Sequence, residues 1–357
     1  MKSIFNCSND MALAANVRQY VPPKRVKQME EDLAHLSRWW EGTRFAGPWG
    51  WSMAAKQRYR LMGVDEGALP SDMWLDRVRC LSSRSFACRY LAELLREMKC
   101  GKLLGDNMRF VALEDVADIG IGGWLSREGY DDLYPLIFKL PWSSSGRGVF
   151  VAKDMCDGVS HRVSGMLSSQ GGVAVDKFYE GKLLDFAMEF FVDGDDVDFL
   201  GYSVFHAGDG GAYGFNYVES QTSLLDRIDV DAALLSKLVE YHIKHLRGIG
   251  YRGVVGVDMM KVLEDGVLKV HPCVEMNFRM NMGVLAMLLW DGLGETGVKN
   301  CFVELTERRE DGFQAVVDDG KLMIGFNQNR SLLMKKIKDV LNCANMQLGV
   351  SKQGDGF

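Results

Sequence analysis

One stretch constrains this chain more than any other: Gly253–Gly283, GVVGVDMMKVLEDGVLKVHPCVEMNFRMNMG. It reads as two apolar strands joined at Asp265-Gly266. That dipeptide favours a two-residue hairpin turn, because both positions tolerate positive φ. Such a turn pairs Glu264 with Val267 and carries the register back to Asp258 opposite Cys273. Glu275 then becomes the diagonal neighbour of Asp258 on the same face, within roughly 7–8 Å. Side chains alternate along a strand, so Asn277 points the same way. Pro272 needs an edge or non-hydrogen-bonded position in the second strand, and a bulge there would shift the register. The flanks VVGVDMM and VHPCV are apolar, so lone carboxylates are costly unless paired or metal-bound. Asp258, Glu275 and Asn277 therefore read as an oxygen-only cluster. Such a cluster suits Mg²⁺, which takes one or two carboxylates plus substrate phosphates. The competing reading is an ordinary hairpin with a solvated polar face. Cys273, a soft thiol, is a poor Mg²⁺ ligand and reads as packing.

A second element supports the first. The strand Leu136–Lys139 runs into PWSSSGRGV, with Gly148–Ala152 as the returning strand. Its serines and glycines offer hydroxyls and backbone N–H groups to phosphate oxygens. Lys139 and Arg147 add positive charge, and Gly146 and Gly148 permit positive φ. A plain hairpin turn is the alternative. No G-x-x-x-x-G-K-[ST] occurs, and the runs Gly120–Gly123 and Gly208–Gly211 both fail as G-x-G-x-x-G. Protein-kinase signatures are missing too.

Composition excludes several classes. The chain has 357 residues, 47% hydrophobic and 25% charged, with a net charge of −6 and scattered basic residues. Nucleic acid is therefore not expected as a partner. The N-terminus lacks a signal-length apolar core. The longest uncharged apolar-rich run, Met280–Trp290, is too short to cross a bilayer. A cytoplasmic location is the default expectation, with no membrane partner. The eight cysteines show no C-x-x-C and read as reduced thiols. His242 and His245 lie on one helix without a third ligand nearby. The acidic run Asp193–Asp198 lacks the closing Glu of a calcium loop.

Four regions follow: a small N-terminal α/β domain (1–80), a subdomain carrying the phosphate loop (81–172), a subdomain carrying the metal site (173–300) and a C-terminal extension (301–357). Residues 2–7 suggest an opening strand, 22–41 a helix, and 82–99 and 231–247 amphipathic helices. Residues 173–206 are mostly strands, and the tail beyond about 346 is expected to fray. The polar turn Asn6–Asp10, with Arg18, Tyr20 and Lys24, is a candidate substrate contact, since residues after a first strand often line a crevice.

Across roughly residues 80–290 this combination resembles the ATP-grasp enzymes, which bind ATP between two α+β subdomains. The resemblance implies that fold here, preceded by the short N-terminal α/β domain. It implies ATP and Mg²⁺ as cofactors, with Mn²⁺ as a substitute. Arg84 stands where the family usually has a phosphate-contacting Lys; its geometry differs from that of Lys. Lys139 reaches the phosphates, and Ser143, Ser144, Ser145, Gly146, Arg147 and Gly148 form a flap over them. Asp176, Lys177 and Phe178 match the E-K-x-L hinge whose backbone meets the adenine, with Asp in place of Glu. Asp185 holds the ribose hydroxyls. Asp258, Glu275 and Asn277 are the metal ligands, and Arg279 contacts the transferred phosphate; Phe278 replaces the usual Pro or Thr. Lys139 and Arg279 are the expected catalytic residues. The implied activity is carboxylate–amine (or carboxylate–thiol) ligation through an acyl phosphate, on small-molecule carboxylate and amine substrates. A kinase of the same fold, or a non-catalytic nucleotide-binding module, are the alternatives. The sequence leaves the substrates and the oligomeric state open.

Overall fold

The computed structural model describes residues 1–143, 146–208 and 211–293, and beyond them the strands Cys301–Glu307, Val316–Asp318 and Lys321–Phe326; side chains are described through Asp291, His35 excepted. The expected flap residues Ser144 and Ser145, and the tail beyond 346, lie outside the described residues.

The first 80 residues differ from the expected α/β domain. They form helices α1 (Asn9–Ala15), α2 (Lys24–Asp32) and α3 (Met53–Leu61), and α4 (Asp72–Leu81) crosses their boundary. The opening strand reduces to one isolated bridge, Ile4 with Pro48. Chain direction explains this, since α1 begins at Asn9 before a second pair can form. The helix expected over 22–41 breaks at Leu33 and continues as a 3-10 segment, Ala34–Trp39. Phe5, Leu33, Leu36, Trp40 and Trp49 anchor this region in a core shared with Val254, Met280 and Leu285.

Helix α5 (Arg84–Met98) follows, with the Ser83 hydroxyl accepting the Ser85 N–H as its N-cap. Next come β1 (Arg109–Ala112), α6 (Gly120–Arg127), β2 (Leu136–Lys139), β3 (Val149–Ala152), α7 (Asp157–Gln170) and β4 (Gly172–Lys177). The four strands form an antiparallel sheet in the order β1-β4-β2-β3. Its inner face, with Phe138 and Val175, packs on Ile121 and Leu125 of α6 and Val163 and Leu167 of α7. Truncating the fully buried Phe138 to Ala would cost about 3–5 kcal/mol.

The larger sheet uses β5 (Lys182–Asp193), β6 (Asp196–Ala207) and β7 (Tyr213–Val218), then β8 (Arg252–Glu264) and β9 (Val267–Asn277) after helices α8 (Gln221–Ile228) and α9 (Ala232–Leu246). Helix α10 (Met282–Leu293) precedes β10 (Cys301–Glu307), β11 (Val316–Asp318) and β12 (Lys321–Phe326). Strand order is β11-β12-β10-β7-β6-β5-β8-β9, so the strands of the expected C-terminal extension join this sheet. Period-two alternation sends Phe186, Met188, Phe190, Val255 and Val257 into one core, with Leu91 and Leu94 of α5 and Leu238 of α9. The opposite face carries Asp185, Glu189, Asp258 and Glu275. Helix α5 thus packs on the larger sheet, while β4, placed by the sequence with the second subdomain, belongs to the smaller one. Among the described residues no helix is long and apolar enough to cross a membrane.

Candidate active site

The β8–β9 hairpin turns at Asp265 (φ 51°) and Gly266 (φ 75°), the two positive φ values of a type I′ turn. Glu264 pairs with Val267, as expected, and the register holds to Met260 opposite His271. It then shifts, so that Met259 faces Pro272, Cys273 and Val274, and Asp258 lies directly opposite Glu275. This corrects the expected Asp258–Cys273 pair. The bulge at Pro272 turns the fully buried Cys273 into the core and brings the two carboxylates closer than a diagonal pairing would. Asn277 Nδ2 donates to Asp258 Oδ2 at 3.0 Å.

The result is electrostatically costly. Burial, then Glu275, then Glu189 push the Asp258 carboxyl well above its ordinary range, against the nearby Arg279 and the Asn277 hydrogen bond. Asp258 has no ion pair among the described residues. A half-buried carboxylate facing a second one, itself paired with Arg84 at 2.7 Å, with a side-chain amide beside them, is a hard-oxygen donor set. These residues fit Mg²⁺. Among the described residues no group of three or more His, Cys, Asp and Glu forms another metal site, so His242 and His245 remain structural.

On the facing side, Lys139 ends β2 at the mouth of the glycine hairpin. Burial, then Arg84, lower its ammonium pKa, while Asp176 and Glu275 oppose the shift. Among the described residues it makes no ion pair, so its charge is available to a ligand. Gly146 and Gly148 adopt φ 72° and 71°. At Gly148 a Cβ would meet Leu140 Cδ1 at 2.6 Å, so the hairpin closes only on glycine. Arg84, 4% exposed, ties the elements together. It donates to Leu140 O (2.6 Å), Ser143 Oγ (2.8 Å) and Glu275 Oε2 (2.7 Å). Its Nε is buried without a partner. Arg84 thus joins the flap to the carboxylate pair. Arg147 lies further out, exposed, with Nη1 3.7 Å from Met11 Sδ.

Other expected residues sit apart. Asp176 accepts from its neighbour Lys177 N–H and pairs with His271 Nε2 at 3.0 Å. Lys177 pairs with Glu264 at 2.7 Å. The Phe178 N–H donates to Pro135 O. The Asp176–His271 and Lys177–Glu264 contacts join the two sheets. Asp185 is on the cleft face, held by Lys182 Nζ at 2.8 Å.

Two residues gain weight from the structure. Arg279 is gripped by Asp10 of α1, with Nε 3.1 Å from each carboxylate oxygen and Nη2 3.0 Å from Oδ2. The N-terminal turn is thereby tied to the strand end that carries the carboxylate pair. Glu189, missed in the sequence, is buried beneath it, accepting from Ser203 Oγ (2.8 Å) and Asn281 Nδ2 (2.7 Å). Burial pushes its carboxyl up to about 7. The lone Glu in LDFAMEFFV was its only signal.

No protein-family model matches the chain, and no curated protein matches it. Among solved structures it is similar to biotin carboxylase from Campylobacter jejuni (15% identity over 74% of this chain and 54% of that one, TM-score 0.46). It is also similar to an L-amino acid ligase from Bacillus licheniformis (13% identity, 67% and 51%, TM-score 0.41). A third is the biotin carboxylase domain of the Hydrogenobacter thermophilus 2-oxoglutarate carboxylase (14% identity, 58% and 42%, TM-score 0.42). The chain spans about half the length of these proteins, and likeness at this level carries no argument about its reaction. The two sheets, with helices packed on them, give the chain a mixed α and β architecture.

Proposed function

We propose that this chain binds Mg·ATP in the cleft between its sheets and transfers the terminal phosphoryl group to a substrate carboxylate. An amine or thiol then displaces the phosphate from the acyl phosphate, giving ADP, phosphate and the ligated product. One observation carries most of this reading: the like-charged Asp258–Glu275 pair is approached from the opposite sheet by the unpaired Lys139.

The chain's own groups would share the work. Lys139 and the hairpin's backbone N–H groups hold the phosphates and orient them. Arg84 keeps the hairpin registered against Glu275. Arg279 lies beside the carboxylates at the end facing the acceptor, where its guanidinium, held by Asp10, would orient the acceptor group. Asp258, Glu275 and Asn277 would hold Mg²⁺, which neutralises phosphate charge when bound. The hinge residues Asp176–Phe178 and the strand residue Asp185 remain the candidates for adenine and ribose.

The test is turnover of the full chain with Mg·ATP and a pool of amino acids, peptides and small carboxylates, with Asp258→Asn as control. Pool-dependent ADP plus phosphate, and a new amide or thioester mass, would support ligation. A stable phosphorylated product without free phosphate would replace it by a kinase. Nucleotide binding with no turnover on any pool would favour a binding module.

A further inference from the structure

The cations of the cleft fall into two groups on either side of the carboxylate pair. Lys139 and Arg84 lie towards the small sheet and act on each other and on the buried Cys88. Arg279 and Arg147 lie towards the N-terminal turn, and both act on Cys7. Each group holds one cation already tied to a carboxylate: Arg84 to Glu275 at 2.7 Å, and Arg279 to Asp10. The Arg279 Nε and Nη2 are held by Asp10, and its Nη1 donates to Met280 O at 3.2 Å. The pair is largely buried, with side-chain exposures of 15% for Arg279 and 11% for Asp10.

Asp10 is not free to swing away. Just before it, the Ser8 N–H and hydroxyl both donate to Glu30 Oε1, at 2.9 and 2.6 Å. The segment that packs beside the turn is fixed to the same strand end: Met280 N–H donates to Trp49 O at 2.7 Å, and Asn6 Nδ2 to Gly50 O at 2.9 Å. A forked guanidinium–carboxylate contact on such a framework is directional as well as charged.

We propose that Asp10 sets the charge accepted at this end of the cleft: it fixes the Arg279 guanidinium beside the Asp258–Glu275 pair and cancels its charge, so that the site takes a monocarboxylate and rejects a dianion. Arg147 is then the uncommitted cation at that end among the described residues. Asp10 is a positioning and specificity residue, acting through Arg279. Calling this end the acceptor's rests on the ligase reading above; the charge argument rests only on the Asp10–Arg279 geometry.

The test uses nucleotide-free full-length protein titrated with inorganic phosphate by calorimetry. Freeing a guanidinium for a charge-assisted hydrogen bond should tighten phosphate binding about tenfold or more in Asp10→Asn and Asp10→Ser. Adding Arg279→Ala should remove that gain. The double variant Asp10→Asn/Arg279→Ala, which removes both charges of the pair, should bind phosphate within about twofold of wild type. The proposal is overturned if Asp10→Asn and Asp10→Ser, folded by near-ultraviolet circular dichroism, bind phosphate no tighter than wild type. It is equally overturned if the gain survives Arg279→Ala. If neither single Asp10 variant folds, the double variant decides, since a loss of about tenfold relative to wild type would show that the Arg279 charge was not cancelled. A parallel titration with Mg·AMPPNP separates the two readings: wild type that fails to bind it refutes the nucleotide site and leaves the phosphate comparison standing.

Discussion

The β8–β9 hairpin carries carboxylates at both ends, in opposite settings. Beside the turn, Glu264 accepts from Lys177 at 2.7 Å and from Lys269 at 3.0 Å. The Lys177 hydrogen bond leads in holding its carboxyl below the usual range. At the far end Asp258 faces Glu275 with no cation of its own and is pushed up instead. One strand pair thus supports both a satisfied ionic contact, which joins the two sheets, and an unsatisfied one. A costly cluster of this kind is where a ligand that completes it would bind, so the mismatch marks this end as the candidate site.

Breaking the unsatisfied end should have the largest effect. Asp258→Asn keeps the shape and can keep the Asn277 contact, yet removes a hard anionic ligand. Turnover should fall by at least about a hundredfold, read by ADP release. The metal-free variant should at the same time unfold at higher urea, by on the order of 1–2 kcal/mol, because a raised buried carboxyl is removed. Lys139→Ala should come next, weakening Mg·nucleotide affinity about tenfold to a hundredfold in a binding titration, with little change in metal-free stability.

Glu189 sharpens the comparison through pH. Its folded pKa, about 7, lies above the ordinary carboxyl value, so the folded state prefers the proton. Its contribution to stability is complete below the unfolded value and is lost as pH rises through about 7. The total change should be on the order of 3 kcal/mol, and urea melts of Glu189→Gln across this window should lack it. The satisfied end should give the smallest effect. Glu264→Gln should cost about 1 kcal/mol, with loss at neutral pH and little in acid, where the wild-type carboxyl is protonated in both the folded and the unfolded state and its ion pairs are lost. Turnover should stay within about twofold.

Legibility followed sequence distance. The turn at Asp265-Gly266, the amphipathic helices over 82–99 and 231–247 and the glycine hairpin are local features, and each was readable from neighbouring residues. The bulge at Pro272–Val274 was not, because two extra residues leave no mark on an apolar pattern; only Pro272 hinted at it. Glu189 looked like an interruption in a core strand, since Ser203 and Asn281 reach it from 14 and 92 residues away. Asp10 and Arg279 are 269 residues apart. Asn6–Asp10 stood out as a polar turn, yet nothing local pointed to that pairing. The N-terminal region was misread as α/β because one apolar run resembles a strand until its partner is sought.

The most direct test of the cleft is calorimetric titration of wild type, Asp258→Asn and Lys139→Ala with AMPPNP in the presence and absence of Mg²⁺. The account predicts Mg²⁺-dependent binding to wild type, loss of the Mg²⁺ dependence in Asp258→Asn and weakened binding in Lys139→Ala. Binding of equal strength to all three proteins, or none to wild type, would contradict it.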